Sequence, residues 1–292
     1  MPVTKIDGTS IAYEVTGEGP PLVFLHCWTG SKEFYVNQVM KFSGDYKCIS
    51  LDFPGHGASG EVDGKEYSVE CFGEITVQLL KKLGIKKAVF AGHSLGGMVA
   101  LYLGLHYPDM VEGLILLDTT SHLSGFIFQR VGALAAVLLG SVGAVVWNTG
   151  FKGTKAVVAG TAATHPLARP APRIFSAKVC SQGSNKAMTK TLNRARNFNV
   201  TSRLGEINVP ALIVVGNADL LADMRHANRL AKGLPNSMLL VVRGAGHMAI
   251  FEKPEIVNHA MEDFLARVYP PKPKVAKKPA KKKARKKAAA KK

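Results

Sequence analysis

The sequence predicts an α/β fold: a mostly parallel, twisted sheet with helices on both faces and a helical cap inserted between the two halves of the sheet. Three observations carry that expectation. Short β-branched and apolar runs recur along the chain, each closed by a glycine-rich or polar turn. Segments with apolar residues at helical spacing lie between several of these runs, and strand–helix alternation is the pattern of a parallel sheet covered on both sides. The alternation stops at about residue 121 and resumes at about residue 206.

The runs are Leu22 to Leu25, Cys48 to Phe53, Ala88 to Ala91, Leu114 to Leu117, Ala211 to Val215 and Met238 to Val242. Near-continuous apolar character reads as strands buried on both faces. Between the second and third, Val69, Phe72, Ile75, Thr76, Leu79, Leu80 and Leu83 share one helical stripe that ends at Gly84, a residue suited to a helix C-cap. A last helix begins near Pro254 and aligns Val257, Met261, Phe264, Leu265 and Val268. The division that follows is a first half of the core over 1–120, a cap over 121–205, a second half over 206–270 and a tail over 271–292.

Within the cap region, Val131 to Trp147 is an apolar run whose one polar side chain is Ser141. Its length sits at the lower bound of the roughly 17 to 25 residues that cross a bilayer. A span would separate the two halves of one catalytic site, so a buried cap helix is the favoured reading and a lid touching lipid the second.

The chain has a formal charge of +17, unevenly placed: residues 271–292 hold 12 of the 38 basic residues and no acidic one. The remaining residues carry 26 basic against 21 acidic groups. The tail cannot bury a core and is expected to be disordered and solvated. Lacking large aromatics to stack on bases, it offers salt-sensitive attraction to phosphates of nucleic acid, polyphosphate or anionic lipid, without sequence reading. A solubilising tail with no specific partner is the simpler expectation. Cys27, Cys48, Cys71 and Cys180 form neither a CxxC pair nor a metal-ligand cluster, which excludes a recognisable zinc site or disulfide framework. With no secretory signal legible over Met1 to Thr16, a cytoplasmic protein is expected.

The sharpest motif is Gly92-His93-Ser94-Leu95-Gly96-Gly97, placed between the strand Ala88 to Ala91 and a helix-like Met98 to His106. Small residues at 92 and 96 let a strand turn sharply into a helix and hold the Ser94 hydroxyl above the sheet edge, with the Leu95 N–H directed at a substrate oxygen. A serine hydroxyl is a poor nucleophile near neutral pH, so it needs a base, and the base needs a carboxylate that fixes its tautomer. Of nine histidines, His247 is favoured as the base, because Arg243-Gly244-Ala245-Gly246-His247 is a small-residue loop leaving the last strand. His26 and His93 flank strand ends as pocket candidates; His106, His165, His226 and His259 read as surface or structural. Asp219, after Val214-Val215-Gly216-Asn217-Ala218, is the favoured acid, in the chain order Ser, Asp, His. Asp118 at the end of Leu114 to Leu117 is its rival, and Asp223 a weaker third candidate. A second oxyanion donor is expected from the loop His26-Cys27-Trp28-Thr29-Gly30, with the Trp28 N–H first and Cys27 the alternative.

These segments, together with Leu51-Asp52-Phe53-Pro54-Gly55-His56-Gly57-Ala58-Ser59 and Gly246-His247-Met248 followed by Glu252-Lys253-Pro254, resemble the α/β-hydrolase superfamily over residues 10–120 and 206–268. The resemblance is strongest to its small-esterase, enol-lactonase and cofactor-free haloperoxidase-like branch. It implies an eight-stranded sheet, a helical cap, and neither metal nor organic cofactor. One departure stands out: the family usually has His-Gly where this chain has His26-Cys27. Serine at 94 argues against the epoxide-hydrolase and dehalogenase relatives, which use a carboxylate nucleophile. The expected activity is hydrolysis of a small carboxylic ester or lactone through an acyl-enzyme. Acyl transfer or carbon–carbon bond hydrolysis with the same triad is one alternative, and a non-catalytic binding protein is the other. Phe126, Ile127, Phe128 and Leu138 would suit a hydrophobic acyl or aryl group, or merely pack the cap.

Overall fold

The computed structural model describes residues 2–62, 66–123 and 182–270. Among these residues the sheet has eight strands in the order β1-β2-β4-β3-β5-β6-β7-β8. These are β1 (Val3–Ile6), β2 (Thr9–Thr16), β3 (Pro21–Leu25), β4 (Lys47–Leu51), β5 (Ala88–His93), β6 (Val111–Leu117), β7 (Ala211–Gly216) and β8 (Ser237–Val242). β1 and β2 form an antiparallel hairpin, and β2 runs antiparallel to β4. From β4 to β8 every pairing is parallel.

The helices are α1 (Val36–Phe42), α2 (Val69–Lys82), α3 (Leu95–His106), α4 (Asn185–Ala195), α5 (Met224–Gly233), the one-turn α6 (Ala249–Glu252) and α7 (Pro254–Val268). Their starts are chemically marked. The Ser68 hydroxyl accepts from Cys71 N at 3.2 Å at the head of α2, Ser184 from Ala187 N at 3.1 Å at α4, and the Asp223 carboxylate from Arg225 N at 3.0 Å at α5. Gly84, at φ +70°, takes the left-handed conformation that ends α2.

Strand periodicity divides the core in two. Val23, Leu25, Ile49, Leu51, Phe90, Leu116, Ile213 and Val215 face α2, α3 and α5 on one side of the sheet. Leu22, Phe24, Cys48, Val89, Ala91, Ile115, Leu117, Leu212 and Val214 face α1, α6 and α7 on the other. Each such side chain stabilises the fold by about 1.5–3 kcal/mol through burial.

Two expectations need correction. The run Met238 to Val242 is not buried on both faces: β8 is the edge strand, and Leu239 and Val241 are 36% and 37% exposed. The run 48–53 leaves the sheet at Leu51, because Asp52 and Phe53 turn away to join the next loop. The β1–β2 hairpin was not read from sequence at all, since its alternation is weak and half of it is solvated. Of the region 121–205, the structure describes 121–123 and 182–205, including α4. The apolar run 131–147 and the cap residues Phe126, Ile127, Phe128 and Leu138 lie outside the described residues. Among the described residues, no helix is long and apolar enough to cross a membrane.

Candidate active site

The sheet order reverses around β3: the next strand, β4, lies on one side, whereas β5 to β8 add on the other. At such a switch point the loops leaving neighbouring strands diverge and open a crevice at their carboxyl ends. The candidate residues follow those ends: the 26–30 loop after β3, Ser94 after β5, Asp118 after β6, Asp219 after β7 and His247 after β8.

Ser94 connects β5 to α3 with φ +53° and ψ −113°, a strained conformation for a residue with a side chain. The turn is held from several sides. Ser94 N donates to Leu117 O at 2.9 Å, and the Ser94 carbonyl accepts from Gly97 N at 3.0 Å and from the Thr119 hydroxyl at 2.6 Å. Its tightness explains the glycines: a Cβ at Gly92 would lie 2.2 Å from Gly96 O, and one at Gly96 would lie 2.0 Å from Leu25 O.

Three of the side chains singled out from sequence meet. His247 Nε2 lies 3.1 Å from Ser94 Oγ, and His247 Nδ1 lies 2.8 Å from Asp219 Oδ2. The other Asp219 oxygen accepts from Leu221 N at 2.7 Å and Ala222 N at 2.9 Å, which fixes the carboxylate plane. With Nδ1 donating to the carboxylate, Nε2 is left as the acceptor facing the hydroxyl. Asp219 and His247 are almost fully buried, while Ser94 retains access to solvent.

The rival acids are placed elsewhere. Asp118 is completely buried, with φ +44°; its carboxylate accepts from Gly216 N at 2.9 Å and Ala249 N at 3.2 Å, stitching β6 to β7 and to the start of α6. Burial holds its carboxyl above the usual range. Asp223 caps α5 and pairs with Arg225. Beneath the base, His93 Nε2 donates to the His247 carbonyl at 2.7 Å and lies 3.7 Å from Asp118 Oδ2. Burial works against its charged form, but Asp118 and Cys27 outweigh it and lift the imidazole to about 10. Gly246 N donates to Glu252 at 3.0 Å, so the loop carrying His247 is fixed on both sides.

The 26–30 loop is a tight turn, with Gly30 N donating to Cys27 O at 3.0 Å. His26 accepts from Phe53 N at 2.9 Å through Nε2, and so donates from Nδ1 to Cys27 O at 2.8 Å. Burial first, then the neighbouring His56, keep this ring neutral. The Trp28 carbonyl accepts from His56 Nε2 at 2.5 Å, and the Trp28 indole donates to Met188 O in α4 at 2.8 Å. Asp52 accepts from Lys32 N at 2.6 Å and Ala58 N at 2.9 Å. Cys27, at the position where a glycine was expected, is accommodated as a buried side chain. Leu95 opens α3, where first-turn N–H groups have no partner within the helix.

Thr119, His26, Asp52, His56, His93 and Glu252 were not assigned these supporting roles from sequence. Asp52 and His56 stand inside the Leu51 to Ser59 motif, and that motif was their available signal. His226 is buried against Thr120, whereas His106 and His259 are exposed; His165 lies outside the described residues. Among the described residues, no group of His, Cys, Asp or Glu is arranged to hold a metal ion.

Comparison with known proteins agrees with this architecture: residues 20–254 match the family model described as alpha/beta hydrolase fold. The chain belongs to the α/β-hydrolase fold family. This hydrolase is 26% identical over 266 residues to "Putative carbamate hydrolase RutD" of Agrobacterium fabrum, an alignment covering 87% of this chain and 97% of the relative. It is 25% identical over 281 residues to 3-oxoadipate enol-lactonase 2 of Acinetobacter baylyi, covering 91% and 99% of the two chains. Among solved structures it superposes on Est816, described as an N-acyl homoserine lactone degrading enzyme, with a TM-score of 0.73. There the identity is 29%, and the match covers 90% of this chain and all of that one.

Proposed function

We propose that this hydrolase cleaves a carboxylic ester or lactone through a Ser94 acyl-enzyme. The observation that carries the reading is the continuous contact from Ser94 Oγ to His247 at 3.1 Å and from His247 to Asp219 at 2.8 Å. In the first step, His247 Nε2 takes the hydroxyl proton while Ser94 Oγ attacks the carbonyl carbon. Asp219 stabilises the imidazolium that forms and keeps its tautomer. The oxyanion is held by the N–H groups of Leu95 and Trp28, each such donor being worth about a factor of 100 to 1,000 in turnover. His247 returns the proton to the leaving alcohol, then activates water that releases the acid. Relatives named for lactone chemistry support this substrate class.

The test is covalent labelling followed by turnover. A fluorophosphonate should label Ser94 in the folded protein, and lack of labelling would remove the enzyme reading in favour of a binding protein. Hydrolysis of 4-nitrophenyl esters should be insensitive to added alcohols; product diverted to the alcohol would favour acyl transfer instead.

For the tail we propose a separate role, attraction to polyanions without sequence reading. The Tyr269 hydroxyl lies 3.1 Å from Pro21 O and 2.5 Å from the Glu112 carboxylate, at the starts of β3 and β6. Residue 270 therefore leaves the domain at the sheet edge opposite Ser94. Deleting 271–292 should reduce retention on heparin and leave ester turnover unchanged; unchanged retention or a large loss of turnover would contradict this. Cys27, Cys48 and Cys71 are free thiols, which fits a reducing compartment such as the cytoplasm, and cell fractionation would test that placement.

A further inference from the structure

At the same sheet edge as Ser94, two histidines and an arginine converge outside the triad. His122 lies in the chain leaving β6, and His226 and Arg229 lie on α5, the helix that follows Asp219. The two imidazoles are 5.4 Å apart between centroids, and one Arg229 guanidinium nitrogen lies 3.4 Å from the Nδ1 of each.

These contacts do not satisfy the guanidinium. The Thr120 hydroxyl donates its single proton to His122 O at 2.8 Å, so at 2.7 Å its oxygen accepts from His226 Nδ1. A protonated His226 Nδ1 cannot also accept from Arg229. Against five N–H donors this leaves one long contact, to a His122 Nδ1 that also lies 3.5 Å from the Thr201 hydroxyl. Among the described residues no carboxylate pairs with Arg229; the nearby Asp223 is engaged by Arg225. Nor does the undescribed part of the inserted segment offer one, because no Asp or Glu occurs anywhere from residue 119 to residue 205. That stretch carries 11 Lys and Arg residues, while the rest of the chain before the tail has 15 basic against 21 acidic groups. The positive charge of the catalytic domain is thus concentrated in the insertion, a distribution that raises the local concentration of anionic ligands.

We propose that His122, His226 and Arg229 form a subsite for an oxyanion carried by the substrate, so that the preferred esters or lactones bear a carboxylate on the acyl side. The proposal rests on the Ser94 hydrolase reading and narrows its substrate class. The distance suits it. Thr119 bonds the Ser94 carbonyl, and three residues of chain from Thr119 to His122 span at most about 11 Å. His226 is buried beneath Thr120, while His122 and Arg229 are partly exposed and give the cluster an open side. Burial and then Arg229 lower the His122 pKa; burial lowers that of His226, with Asp223 opposing and His122, Arg229 and Arg225 adding to the fall. An anion bound among them reverses that repulsion.

The test compares matched pairs of substrates: mono-4-nitrophenyl esters of succinate, glutarate and adipate against 4-nitrophenyl butanoate, pentanoate and hexanoate. In the full-length protein at least one anionic ester should exceed its neutral partner in kcat/KM. Arg229→Gln should remove about 10- to 100-fold from the anionic ester, the range for a charge-assisted hydrogen bond, mainly through KM and with little change for the neutral one. Arg229→Lys should restore part of the preference. Independently of turnover, NMR titration should show the imidazole pKa values of His122 and His226 rising when glutarate is added to the Ser94→Ala protein. Equal handling of both ester classes, or equal losses on both in Arg229→Gln, would overturn the subsite and leave the hydrolase reading intact. Absence of any ester hydrolysis together with absence of Ser94 labelling would instead overturn the hydrolase reading. Preference confined to esters presented in anionic vesicles, with none in solution, would assign the charge to a membrane surface and overturn the subsite.

Discussion

Replacing Gly96 by alanine tests the geometry on which the nucleophile depends. The added Cβ would stand 2.0 Å from Leu25 O and 2.8 Å from His26 O, both backbone atoms that no rotamer change can move. To reach even a tight contact, α3 and the end of β3 have to separate by about 1 Å, a shift on the scale at which misplacement costs roughly 100-fold in rate. Ser94 is the residue at the head of α3, and its 3.1 Å contact to His247 has little slack: an added ångström takes it beyond hydrogen-bond range. The expected result is a fall in kcat of about 100-fold on a 4-nitrophenyl ester, with a stability loss of about 1–3 kcal/mol from overpacking. Urea unfolding and circular dichroism separate the two effects. Gly104→Ala in the same helix is the control: its Cβ would meet side-chain atoms of Ile207 and Leu114 at 3.3 Å, which can yield, and turnover should stay near wild type. A Gly96→Ala protein within threefold of wild-type kcat would refute the argument that this close approach sets the serine.

Asp219→Asn should lower kcat by about 10,000-fold while leaving the protein folded, because an amide can hold the wrong imidazole tautomer; steady-state kinetics beside a melting curve check this. Asp118→Ala should act in the opposite sense, mainly on stability. It leaves two buried N–H groups, of Gly216 and Ala249, without their acceptor, each costing about 1–3 kcal/mol, and urea titration should show the loss. His93 predicts a pH dependence. Its folded pKa of about 10 stands above the ordinary 6.5, so its stabilising contribution is fully present below pH 6.5 and is lost as pH rises through 10. The stability gap between wild type and His93→Gln should accordingly narrow from pH 6 to pH 10; a gap that widens would show that His93 is neutral in the folded protein.

Much of the architecture was legible because the signals are local. A strand buried on both faces needs consecutive apolar residues, and a sharp strand-to-helix turn needs glycines beside the serine, so the runs at 88–91 and 114–117 and the segment from Gly92 to Gly97 announce themselves without partners. The β1–β2 hairpin carries no such mark, since a half-solvated pair at the sheet margin tolerates almost any alternation. Edge status of β8 is equally invisible in its apolar run, because it depends on the absence of a ninth neighbour and not on the residues themselves.

The choice between Asp118 and Asp219 shows where local reasoning ends. Both are aspartates just beyond parallel strands, and nothing in their flanking residues separates them. Sheet register separates them: it sets the Asp118 carboxylate against Gly216 N and Ala249 N, and leaves Asp219, in the longer turn after β7, free to reach His247. In the same way the composition of residues 119–205 records a cationic insertion, but only the packing of α5 beside the chain leaving β6 brings Arg229 between two imidazoles. Sequence determined which chemistry was available, because reactivity and turn propensity reside in single residues and their neighbours. Tertiary structure decided which groups could use it, because hydrogen bonding acts over about 3 Å and the partners lie some hundred residues apart along the chain.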